Sequence, residues 1–175
     1  MSTSLTRYLT RTLVLILGFS LFDALIHGGI AAAMQRAGSY NQTVSDMYQL
    51  GFAIAMAAVF VMVFFGLHWK RETIAVLILL FGFVEDTLYY AVMPLVNPLI
   101  RVLTGGAIYH VQGEGLFPPA IAGWVGWLSR AAGADTIYLS MGTIVIINIL
   151  ACAGGVAVCA GRSLPRHQNA TTVRS

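Results

Sequence analysis

Four stretches of this 175-residue chain, at about 12–34, 47–67, 73–93 and 137–160, are each apolar over the length that a helix needs to cross a bilayer. About 20 consecutive apolar residues cover roughly 30 Å of hydrocarbon as helix. The predicted fold is therefore an all-α integral membrane protein: a four-helix transmembrane bundle with a partly membrane-embedded outer loop or re-entrant helix. Composition agrees, with 58% hydrophobic residues, 10% charged ones and a mean hydropathy of +0.78. Residues 1–161 read as a single transmembrane domain and 162–175 as a short, polar, disordered cytoplasmic tail.

Basic residues set the expected orientation, because Lys and Arg are retained on the cytoplasmic side during insertion. Arg7 and Arg11 precede the first span, Lys70 and Arg71 join the second to the third, and Arg162, Arg166 and Arg174 follow the fourth. Only Arg36, Arg101 and Arg130 fall on the other side, which places both termini in the cytoplasm. The basic pI of about 9.1 then reflects flanks near anionic lipid, and no nucleic-acid partner is expected. A cleaved signal peptide fits poorly, since Asp23 and His27 would lie within it.

Three of the seven acidic residues, Asp23, Glu85 and Asp86, fall near the centres of spans. An ionised carboxylate at that depth costs at least a few kcal/mol, so such acids normally face a protein or aqueous interior and have partners. Asp23 and His27 are four apart and share one helix face, and Gly28 and Gly29 would let a neighbouring helix approach there. Adjacent acids on a continuous helix point about 100° apart, so Glu85 and Asp86 would meet different neighbours. Tyr89 and Tyr90 each follow one of them by a turn, as hydrogen-bond or proton donors. Counting along the helices puts Asp23, His27, Glu85 and Asp86 in one layer, with Asn148 at similar depth as an orienting or packing group. The second span carries no charge between Met47 and Leu67 and reads as scaffold, with a small-residue stripe of Gly51, Ala55 and Ala58.

The segment between residues 94 and 136 is expected to be the structured outer element. Pro94 and Pro98 should end the third helix, and residues 115–132, with Trp124 and Trp127, should form an interfacial or re-entrant helix at headgroup level. His110 and Glu114 lie between these elements. If the segment folds back, they would complete a His₂/carboxylate metal site with Asp23, His27, Glu85 and Asp86, the donor set that suits zinc or iron. Cys152 and Cys159, two turns apart on one helix, cannot pair.

The leading expectation is an intramembrane, metal-dependent enzyme acting on a lipid or other hydrophobic small molecule through the carboxylate/histidine site, with Asp23, Glu85, Asp86, Tyr89 and Tyr90 as its catalytic residues. The alternatives are a proton- or cation-coupled transporter or channel, and a structural subunit of a membrane complex. Membrane lipids are implied partners, and a homo-oligomer would supply further helices. The chain lacks a Gly-rich phosphate loop, an HExxH or GxSxG motif, and a lysine within a span.

Overall fold

A computed structural model describes residues 3–39, 41–107 and 117–161. Among the described residues six helices carry the fold: α1 (Thr3–Arg36), α2 (Gln42–Val61, continued by a π turn over Met62–Gly66), α3 (Lys70–Phe81), α4 (Val84–Leu103), α5 (Gly123–Ala131) and α6 (Met141–Ala160). A two-residue antiparallel bridge, β1 (Ala120–Ile121) with β2 (Leu139–Ser140), ties the start of α5 to the start of α6.

Three helical segments, Ser4–Arg36, Gln42–Gly66 and Met141–Ala160, are each long and apolar enough to cross a membrane. The expected third span is not one straight helix. Its residues divide between α3 and α4, which meet at an angle of 79°, so the pair forms a fourth, broken span or a re-entrant element. Among the described residues there are thus three helices, or four with the bent pair, long and apolar enough to span a membrane, consistent with an all-helical membrane protein. Pro94 and Pro98 do not end a helix either, since α4 runs through both to Leu103. Proline is tolerated inside membrane helices where the surroundings re-satisfy the freed carbonyls.

The start of α1, the α2–α3 junction and the end of α6 share one end of the molecule. Arg11 pairs with Glu72 at 3.2 Å and stacks on Trp69, while Arg71 lies over Tyr8 and donates to the Gly161 carbonyl. At the opposite end Arg36 donates to the carbonyls of Thr104 and Gly105. These contacts hold the cap residue Thr104 and the residue after it, just beyond the end of α4.

Between the ends, α1 is the organising element. Ala24 and Ala32 pack against Tyr89, Met93, Val96 and Ile100 of α4. Gly28 is the point of closest approach, where an added Cβ would sit 3.0 Å from the Met93 methyl and 3.1 Å from Ile100 Cδ1. Gly29 has no such neighbour, so only one of the two glycines serves the packing. Lower down, Ile16 and Phe19 meet Val76 and Leu79 of α3, with Ala151 of α6 completing the cluster. Helix α2 is peripheral: Ser45 is its one buried residue among those described, while Leu50, Ile54 and Val61 are exposed on the apolar outside.

Candidate functional site

The break at Gly82–Phe83 decides where the acids lie. Gly82 is required by packing, because a Cβ there would fall 2.1 Å from the Ala151 methyl of α6. Phe83 then takes a left-handed conformation, φ 59° and ψ 16°, which costs a residue with a side chain about 1–2 kcal/mol. A helix interrupted at membrane depth exposes carbonyls that must find other donors. They do: Trp124 Nε1 donates to Phe81 O at 3.3 Å, and Asn148 Nδ2 donates to Gly82 O at 3.2 Å. The Phe83 carbonyl accepts from Thr87 Oγ1 at 3.0 Å.

Glu85 and Asp86 therefore stand in the first turn of a new helix, not in the middle of a continuous one. Free N–H groups and the positive end of the macrodipole favour carboxylates at that position. Both belong to α4, so they point about 100° apart as expected for adjacent helical residues, but from a helix start. Glu85 is 7% exposed, and its Oε1 has no hydrogen-bond partner among the described residues. Asp86 is half-buried under the first residue of α5: a Cβ on Gly123 would meet Asp86 Oδ1 at 3.0 Å and Phe83 at 2.9 Å.

Across the interface, Asp23 of α1 accepts a hydrogen bond from Tyr48 Oη at 2.8 Å. The His27 ring stacks on Tyr48 with centroids 5.2 Å apart, and its Nε2 lies 3.5 Å from Ser45 Oγ. Tyr89 brings its ring to 5.9 Å from His27 and meets Tyr90 edge to face at 5.0 Å. The two tyrosines thus turn toward an aromatic cluster, and Tyr89 does not reach the free oxygen of Glu85 one turn away. Asp23, Glu85 and Asp86 lie within one another's electrostatic reach. The structure brings Asp23, His27, Glu85, Asp86, Tyr89 and Tyr90 into one neighbourhood. His110 and Glu114 lie outside the described residues.

Among the described residues no three of His, Cys, Asp and Glu converge in a geometry that would hold one metal ion.

Two residues enter the site without having been expected there. Tyr48 and Ser45 belong to the helix read as scaffold, yet they supply the partners of Asp23 and His27. The available signal was their spacing: three apart on α2, they share a face. The Asn148 amide, placed at similar depth by the sequence, holds the break and donates also to Ile144 O at 2.8 Å. Trp124, expected at headgroup level, stacks on Phe83 at 5.7 Å and serves the break as well. On α6, Cys159 is buried beside Thr12 Oγ1 at 3.6 Å and Cys152 is exposed.

The chain matches no protein-family model, no curated protein and no solved structure.

Proposed function

We propose that this chain is a proton-coupled membrane transporter, with Asp23, Glu85 and Asp86 as a carboxyl relay at the break of the α3–α4 pair. The observation that carries this reading is Glu85, buried in the first turn of α4 with one carboxyl oxygen unpartnered and within the field of Asp23. Two ion pairs occur among the described residues, Arg11–Glu72 and Arg130–Asp46, and neither involves these three acids. Three carboxyl groups at one level, without a paired Lys or Arg, form a layer whose net charge depends on the number of protons it holds. Interrupted helices that present a helix start and freed carbonyls at membrane depth are a recurring device for binding ions in transporters. The reading takes the α3–α4 pair as the fourth span, α5 as a partly embedded cover over Asp86, and the basic end, with both termini, as cytoplasmic.

A second reading keeps an intramembrane enzyme on a hydrophobic substrate, with Asp23 as general base and Tyr48 or His27 as its proton partner. It is favoured by an apolar groove of 350 Å³ between α1 and α2, one of whose lining residues, Phe52, stacks on Tyr48. A divalent ion would belong to this reading only with donors beyond the described residues, such as His110 and Glu114.

The test is proton movement into liposomes loaded with a pH-sensitive dye and with inorganic or organic cations as exchange partners, after an external pH step, with valinomycin and potassium to clamp the potential. Protein-dependent acidification lost in Glu85→Gln and Asp23→Asn supports the relay, and rates equal to empty liposomes sink it. Stoichiometric metal in the purified protein, lost in Asp23→Ala, would replace it with the metalloenzyme reading.

A further inference from the structure

The apolar groove between α1 and α2 is lined by Val14, Gly18, Phe22, Phe52, Ala55 and Val59, among others, and contains no charged side chain. It does not stop at a wall of aliphatic groups. Phe22 stacks on Phe52 at 6.0 Å, Phe52 stacks on Tyr48 at 6.0 Å, and Tyr48 in turn stacks on His27 and bonds Asp23. An unbroken run of aromatic faces therefore leads from an apolar trough to a carboxylate.

We propose that this groove and the acid at its end form one binding site for an amphipathic organic cation, an alkyl-ammonium compound whose chain lies in the groove and whose head is held by Asp23. Charge complementarity selects this occupant. The groups facing Asp23 are His27 from its own helix, Tyr48 from α2, and Glu85 and Asp86 from α4. The surroundings are acidic and aromatic, and no Lys or Arg is paired there among the described residues. A fatty acid or phosphate head would meet three carboxyl groups, whereas an ammonium head is attracted by them. Glu85, with its unpartnered Oε1, supplies a second carboxyl group behind Asp23. The inference rests on the transporter reading in one respect: the cation would be the cargo that exchanges with a proton held by the same layer.

The experiment is equilibrium binding of radiolabelled decyltrimethylammonium to the full-length protein in nanodiscs, with empty nanodiscs subtracted and decanol as a neutral competitor. Gly18→Leu fills the groove without a clash at its Cβ, which has no neighbour within 4 Å, and leaves the carboxyl groups in place. Asp23→Asn removes the charge and keeps the shape. The expected result is saturable binding near one per chain that weakens about tenfold or more in each variant, the equivalent of about 1.4 kcal/mol. Lowering the pH should weaken it in the parent protein, which tests the head contact without any variant. Displacement by decanol as readily as by the unlabelled cation, insensitivity to pH, or a loss confined to Gly18→Leu would each overturn the proposal. Proton movement that persists and still depends on Glu85, with no cation bound, would leave the relay standing and remove only this inference. Loss of both would remove both.

Discussion

Glu72 and Glu85 are thirteen positions apart on either side of the α3–α4 break, both buried at 2% and 7% exposure, and their surroundings differ in kind. Glu72 sits in the first turn of α3 and pairs with Arg11, whose guanidinium also lies 4.3 Å over the Trp69 ring. Glu85 occupies the corresponding first turn of α4 and has no cation beside it, only other acids, and a carboxyl oxygen without a partner. The same residue type in the first turn of two successive helices is thus compensated at the basic end and left uncompensated in the interior. A buried charge that is fully paired is explained by structure. One that is not has to be justified by something the protein does with it.

Substitutions sharpen this contrast, beginning with the break that separates the two glutamates. Gly82→Leu should have the largest effect, because its side chain would have to occupy the space of Ala151; a cost above about 3 kcal/mol is expected, read as loss of monodisperse protein. Glu72→Ala comes next. It strands a guanidinium that is 32% exposed and keeps its ring contact, so the loss should be about 2 kcal/mol, less than for a fully buried pair, measured as a lowered thermal midpoint in detergent. Asn148→Ala leaves the Gly82 carbonyl without its side-chain donor and should cost about 1 kcal/mol in the same assay. Tyr48→Phe removes the hydrogen bond to Asp23 at a similar or slightly smaller cost. Glu85→Gln should have the smallest effect on stability, within about 0.5 kcal/mol, while abolishing proton movement. A thermal midpoint that falls as far in Glu85→Gln as in Glu72→Ala would erase the distinction on which the functional reading depends.

Much of this arrangement was legible in the sequence, and the exceptions share a cause. Apolar length located α1, α2 and α6, and helical spacing placed Asp23 and His27 on one face. Depth counting placed Glu85 and Asp86 near them. The break escaped notice because Phe81-Gly82-Phe83 is as apolar as its neighbours and a single glycine does not end a helix. What bends the chain is tertiary: the Ala151 methyl pressed on Gly82, and donors from Trp124 and Asn148 that lie 43 and 66 positions away. Pro94 and Pro98 misled in the opposite direction, since their local preference was overridden inside a packed helix. Tyr48 was hidden by a search for charge, although its phenol is the direct partner of Asp23. At the break and at Asp23 the deciding contact came from another helix.

The groove beside α1 opens onto the apolar surface, where Val14, Phe22 and Ile54 are exposed, and this changes what concentration means for the site. A ligand reaching it from the bilayer is enriched by its own partitioning before any contact with protein. Each added methylene contributes about 0.8 kcal/mol to that transfer, or roughly a fourfold gain in the amount at the entrance. The carboxylate at the end of the groove need contribute only selectivity for charge. Potency across a homologous series should then climb with chain length until the alkyl tail outgrows the trough, making the membrane itself part of the recognition machinery.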